Sequence, residues 1–340
     1  CLCLLLGMVG AADYSQSILA GELTLAGSVT LQSGVLAESG RGEKAKTVRE
    51  NVLYYTMDKA VKPIVAYGNT LYGRSSMKQT ATYLDDNDLM LVAGVNGAFF
   101  DMHNGIPYGL VVTEGVLRSS GNIQSVGFLD DGSAIIGQPG LKVTMETPDG
   151  AKTEIFYNKA LSKNNGIGLY SRDYDSTTRG SIDGYHVILE PVRGSGKELL
   201  LNDSITLEVI GTLAGKASCG IPEDGFVLSI AEKTIYASAL DQMEALETGD
   251  RITITTETDR DWKDVQYACG GGDLLVENGR VCGDFKLDKA EKPTARTAVG
   301  LKRDGTLVLY TADSANGSKG LTLDELAARM KELDCVTALN

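Results

Sequence analysis

Residues 296–313 read RTAVGLKRDGTLVLYTAD. Two runs of β-formers flank Asp304-Gly305, and Asp-Gly supplies the positive φ that a tight hairpin turn demands. The same signal returns at Glu114-Gly115, Asp131-Gly132, Asp149-Gly150 and Asn278-Gly279, each between β-type runs. Strands joined this way pair antiparallel. Forty glycines in 340 residues, about 12%, exceed the usual ~7% and fit a chain of many turns.

Working outward, the pattern predicts an α+β fold: a mixed, mainly antiparallel sheet with packed helices and a β-rich insertion. NVLYYTM (51–57) and KPIVAYG (62–68) read as strands. LMLVAGVNGAFF (89–100) is a nearly unbroken apolar run, which predicts a strand buried on both faces. Helices are expected over 77–88 behind Ser76, over 238–250 ending at Gly249, and over 322–334. The last opens on Thr322-x-x-Glu325, a capping box, so Glu325 has a structural reading. From about 141 to 256, alternating strands surround a Gly/Asn/Ser-rich loop, the mark of the insertion. No fixed-period repeat is present, which excludes solenoids and propellers.

The chain opens CLCLLLGMVGAADYS. Residues 1–12 read as a partial signal peptide, apolar and then small before Val9-Gly10-Ala11. Residues 13–50 read as a polar, mobile N-terminal arm with one or two weak strands, and 51–340 as the main domain. The apolar run is too short to cross a bilayer, so the mature chain is expected to be secreted or held in the cell envelope without a membrane span. Cys219, Cys269, Cys282 and Cys335 remain after cleavage, with no CxxC spacing. Cys269 and Cys282 flank a hairpin-like segment and are read either as a bridge or as free thiols.

A net charge of −13 argues against a nucleic-acid partner, and two histidines argue against multi-His metal chemistry. No metal or other cofactor is indicated. Asp85-Asp86-Asn87-Asp88 has acidic density for calcium but no EF-hand spacing, and reads as a solvated loop. Oligomeric state leaves no mark in the sequence.

Four segments share one feature, a strand delivering small or polar residues into a Gly-rich bend: 96–109, 268–279, 293–305 and 310–326. Glycines there let backbone approach a ligand closely. None matches a P-loop or Rossmann fingerprint. In their order, NGAFFD with GIPYGLVVTEGVLRSS, GGGDLLVENGRV, RTAVGLKRDGTLVLYTAD and SKGLTLDELAARMKELDCVTALN resemble the phosphodiester glycosidase family, over about 51–140 and 257–340.

The resemblance implies hydrolysis of the C1–O bond of a glycosyl-1-phosphodiester, such as an N-acetylglucosamine-1-phosphodiester, with a phosphorylated glycan as substrate. The leaving phosphate has a second pKa near 6, so it departs without the general acid an ordinary glycosidase needs. Such a site needs a phosphate grip and a carboxylate to orient water. Arg296 is the candidate for phosphate, Asp101 and Asp313 the catalytic carboxylates. Asn96 is read as orienting a sugar hydroxyl or bonding backbone, and Gly270, Gly271 and Gly272 as backbone donors. Asn340 is read as part of the substrate site. His103 reads as an exposed imidazole.

Departures matter too. Ala98 stands where the family commonly has Asp, and Asp313-Ser314-Ala315 where it tends to have Asp-Gly-Arg. The family continues past a strand like VTALN into an Asp-bearing Gly/Ser loop, so the site is expected to be C-terminally truncated at Asn340. The alternative is a carbohydrate-binding or exopolysaccharide-associated envelope protein without turnover, favoured by Ala98 and Asp313-Ser314.

Overall fold

The computed structural model describes residues 16–37, 47–287 and 289–340; the signal-peptide reading of 1–12 lies outside them. Three β-sheets and three α-helices make up the described chain, so β-structure dominates more than the sequence pattern implied. Among the described strands, pairing is antiparallel except for Phe156–Tyr157 beside Gly168–Tyr170. The turn glycines behave as expected: Gly115, Gly132, Gly150, Gly279 and Gly305 all have positive φ.

The first sheet has eight strands in the order Gln16–Ala26, Val29–Ala37, Thr47–Tyr55, Leu307–Ala312, Arg296–Lys302, Cys335–Leu339, Leu274–Glu277 and Arg280–Val281. Its first two strands come from the segment read as a mobile arm. They pair with each other through two register shifts, and the second pairs regularly with Thr47–Tyr55, Val29 opposite Tyr55 through Ala37 opposite Thr47, because Val29 and Leu36 reach apolar cores that a window of small polar residues conceals. The second sheet also has eight strands, all drawn from Lys142–Glu146 through Arg251–Glu257. That range coincides with the segment of distinct composition at 141–256.

A third, five-stranded sheet is the middle layer, formed by Val116–Ser119, Val111–Thr113, Val265–Gly270, Ser125–Leu129 and Ala134–Gly137. Val112, Leu117, Trp262 and Val265 share one core with the second sheet, whereas Val126, Phe128 and Cys269 share another with Leu53, Tyr55 and Leu307 of the first. The helix α3 (Leu323–Glu332) covers the first sheet's other face through Leu326, Ala327 and Met330. Its cap is the Thr322/Glu325 box, with both reciprocal bonds formed. The helix α1 (Met77–Asp86) has a second capping box, Ser76 with Gln79, and α2 (Ala237–Glu244) packs on the second sheet's core through Met243.

Two predicted strands are not strands. KPIVAYG and the run 89–99 are irregular, and Leu89, Met90 and Leu91 are exposed, Met90 at 90%. Asp88, just past the C-cap Asn87, takes φ 59° and turns the chain away from α1, and the Leu89 N–H closes back on Leu84 O. The first sheet is bounded by Gln16–Ala26 and Arg280–Val281, so this run finds no ladder to join. Apolar content alone does not make a strand without a neighbour to pair with.

Candidate active site

The segments that carried the resemblance converge at one end of the first sheet. Arg296 opens its strand opposite Ala312, the last residue of strand Leu307–Ala312. Leu339 lies opposite Val299 on one side and Leu274 on the other. The start of strand 296–302, the end of 307–312, the end of 335–339 and the start of 274–277 therefore share one edge. Asn340 is held by the 272–273 segment, since Gly272 N–H donates to its carbonyl at 2.6 Å and its own N–H donates to Asp273 O at 3.0 Å.

The 96–101 segment crosses the same end. The Thr297 hydroxyl donates to Asn96 Oδ1, which fixes this carboxamide against the first sheet. Gly97 passes close to Cys269 Sγ, which a Cβ at Gly97 would meet at 3.2 Å. Asn96, Gly270–Gly272 and Asn340 thus lie at the same end of the first sheet.

The glycines work by proximity and not as donors. Gly270 N–H bonds Leu110 O, Gly271 N–H bonds Gln124 O, and Gly272 N–H bonds Asn340 O, so all three are engaged within the protein. What the triple glycine provides is contact. A Cβ on Gly270 would stand 2.6 Å from the Gly109 Cα, and one on Gly272 would stand 2.8 Å from Phe99 Cε2 and 3.0 Å from Asn340 Nδ2.

Arg296 is placed differently. Successive residues of a strand point to opposite faces, so Thr297 faces the middle sheet with Asn96 while Arg296 faces the helix layer. Its side chain is buried at 6% exposure. Nη2 donates to Lys289 O at 2.7 Å and to Ala290 O at 3.3 Å, and Nε donates to Leu321 O at 3.4 Å. Burial lowers its pKa, and the nearby Asp273 charge pulls it back up. Arg296 has no ion-pair partner among the described residues.

Both sequence-read carboxylates are tied into local turns. Asp101 Oδ1 accepts the His103 N–H at 2.7 Å, and the Asp101 carbonyl accepts the Gly105 N–H at 2.7 Å. Asp313 pairs with Arg49 at 2.9 Å and accepts the Ala315 N–H at 3.0 Å. His103 is exposed. Asp85 and Asp86 end α1, with Asn87 as its C-cap.

Two residues were overlooked in the sequence. Asp273 follows the triple glycine; its Oδ2 accepts the N–H groups of Lys286 and Leu287 at 2.9 and 2.8 Å, and its charge is felt by Arg296. Its position after Gly-Gly-Gly was the available signal. Lys159 comes from the second sheet's side, and its ammonium bonds the carbonyls of Pro107 and Gly109, the latter at 3.0 Å. Burial pulls its pKa down to about 7. Nothing local in the sequence marks it. Cys269 and Cys282 are free thiols, the first in the middle sheet and the second beyond the edge strand of the first. Hence the bridge reading does not hold.

Residues 205–340 match the phosphodiester glycosidase family. The match begins inside the second sheet, at Ile205, and leaves out 51–140, so the family signal and the proposed insertion overlap instead of excluding each other. No curated protein matches the chain. A hypothetical protein from Synechocystis superposes on 96% of this chain with TM-score 0.69 and 19% identity; the chain spans only 58% of that protein. A candidate exported protein from Burkholderia pseudomallei superposes on all of it with TM-score 0.64 and 13% identity, 92% of that protein being covered. At such identities the shared property is the fold. The catalytic domain of zebrafish N-acetylglucosamine-1-phosphodiester alpha-N-acetylglucosaminidase, auto-inhibited by its pro-peptide, aligns over 96% of this chain and 74% of its own, at TM-score 0.42 and 11% identity. Among the described residues, no helix is long and apolar enough to cross a membrane.

Proposed function

We propose that this chain is a hydrolase of glycosyl-1-phosphodiesters, releasing the sugar from a phosphorylated acceptor in a secreted or cell-envelope setting. The observation that carries the reading is the convergence of Asn96, Gly272 and Asn340 at the one sheet end where the family-matched strands terminate. Asn96 and Asn340 carry carboxamides suited to sugar hydroxyls. Asp101 or Asp313 serves as the carboxylate that orients water. Arg296, on the opposite face of the sheet from Asn96 and engaged with backbone carbonyls, supplies positive charge through the field at the sheet end and not by contact with the phosphate. Its buried guanidinium forms no ion pair at contact distance among the described residues, and the Asp273 charge nearby offsets it only from a distance, which leaves room for an anion. Because the phosphate leaves as a stable anion, the step requires little beyond this field and a positioned water.

The second reading is a glycan-binding envelope protein without turnover. It is favoured by the engagement of Asp101 and Asp313 in turn and ion-pair contacts, and by Ala98 in the middle-layer core. Release of free N-acetylglucosamine from an N-acetylglucosamine-1-phosphodiester separates the two. The hydrolase reading predicts release that falls by 10²-fold or more in Asp101→Asn or Asp313→Asn, the scale of a lost catalytic base. Binding of the diester with no release supports the second.

A further inference from the structure

The hairpin 99–108 is rigidly built yet exposes its largest apolar side chains. Phe100 and Pro107 form an antiparallel bridge, closed by Tyr108 N–H to Phe99 O at 2.9 Å and Asp101 N–H to Ile106 O at 3.0 Å. The turn is fixed from inside by the Asp101 cap and by Ile106 N–H to Asn104 Oδ1 at 2.9 Å. From outside, Gly73 N–H bonds Asn104 O at 2.7 Å, and Lys159 grips the carbonyls of Pro107 and Gly109. Gly105 takes φ 82° and packs against the Gly73 backbone so closely that no Cβ fits.

That register sets the side chains. With Phe100 opposite Pro107, Phe99 falls opposite Tyr108 on the other face of the hairpin. Phe99 is 40% exposed, Tyr108 59% and Met102, at the tip, 64%. A loop with this many bonds has no folding reason to leave two rings and a thioether in water. The Phe99 ring edge also stands against Gly272, where Asn340 Nδ2 approaches as well. The apolar surface is therefore continuous with the sheet-end site, and exposed His103 lies on the same turn.

We infer that Phe99, Met102 and Tyr108 form a stacking subsite for a neutral hexopyranose ring, seated with its hydroxyl rim toward Asn340. This rests on the glycosyl-site reading above, but not on turnover. A pyranose is amphipathic, with C–H bonds on its ring faces and hydroxyls at its rim. Aromatic faces beside a few polar groups complement that shape. A lipid chain would instead call for a continuous apolar trough, and here two rings and one thioether sit among polar turn residues.

The test is binding of the methyl α-glycoside of N-acetylglucosamine, followed by ¹³C-methyl NMR of Met102, with inorganic phosphate and phosphatidylglycerol vesicles as separate probes. The glycoside should shift the Met102 methyl at saturation. Tyr108→Ala should weaken it at least tenfold, Tyr108→Phe should retain it, and both variants should unfold like the parent. Phosphate and vesicles should leave the Met102 signal in place. An unmoved Met102 at saturating glycoside, parent-like affinity in Tyr108→Ala, or a shift caused by vesicles alone would each overturn the subsite. Glycoside binding at the hairpin with no diester hydrolysis would sink the hydrolase reading and leave the subsite standing. Hydrolysis unaffected by Tyr108→Ala, with Met102 unmoved, would do the reverse.

Discussion

Two buried arginines sit over the same face of the first sheet and differ in whether a carboxylate contacts them. Arg329, on α3, meets Glu50 through both carboxylate oxygens at 2.8 and 2.9 Å, and Tyr310 adds a third bond to that carboxylate. Burial alone would lower its pKa, but the Glu50 bonds and charge raise it overall. Arg296 is as deeply buried and meets only backbone carbonyls, and its pKa moves down. Ala312 lies opposite both Glu50 and Arg296, so the three occupy one row, with about 10 Å separating the outer strands. Glu50 is committed to Arg329. The first arginine is a strut; the second has no contact ion pair among the described residues, and only the nearby Asp273 charge acts on it.

Breaking the strut should have the largest effect on stability. Arg329→Met leaves Glu50 buried without its partner, and should cost about 3–5 kcal/mol in urea unfolding. Arg296→Met strands only carbonyl acceptors and should cost about 1–2 kcal/mol. Equal losses would erase the distinction between the two sites. Next in size is Gly270→Ala, whose Cβ would enter the Gly109 backbone; overpacking of this kind costs about 1–3 kcal/mol and should show as a lower urea midpoint at unchanged slope.

A pH scan sharpens the contrast at Lys159, the other cation held by carbonyls. Its folded pKa of about 7 lies below its unfolded value, so from pH 7 to 9 the unfolded chain binds more protons and stability rises with pH. The slope is at most about 1.4 kcal/mol per pH unit, and Lys159→Met should flatten it. Above about pH 9 the buried Cys269 thiol, pushed up to about 11, acts in the opposite sense. A parent and variant with the same profile would show that Lys159 titrates normally. The smallest effect is chemical: half-buried Cys282 should react with a thiol reagent before Cys219, Cys269 and Cys335, which should wait for unfolding.

The features legible in the sequence were those set by residues close in the chain. Asp304-Gly305 and Asn278-Gly279 make the turns they signal, the Thr322/Glu325 box caps α3, and the composition change near 141 marks where the second sheet begins. Features set by distant partners were hidden. The run 89–99 has the apolar content of a strand but no neighbour, and 16–37 has weak patterning but Val29–Ala37 forms a long ladder on Thr47–Tyr55. At the site, motif order picked out the segments that hold Asn96, Gly272 and Asn340. It could not show that Arg296 and Thr297 face opposite sides of the sheet, which depends on the strand register, nor that Lys159 arrives from another sheet.

The central claim is that the end of the first sheet is a glycosyl-phosphodiester site charged by Arg296. Its most direct measurement is sugar release from an N-acetylglucosamine-1-phosphodiester by the parent, Arg296→Lys and Arg296→Met, compared at a temperature where unfolding curves show all three folded. The account predicts release by the parent, a loss of at least tenfold in kcat/KM for Arg296→Met, equivalent to about 1.4 kcal/mol or more, and an intermediate value for Arg296→Lys. A folded Arg296→Met that turns over like the parent, or a parent that releases no sugar, would contradict it.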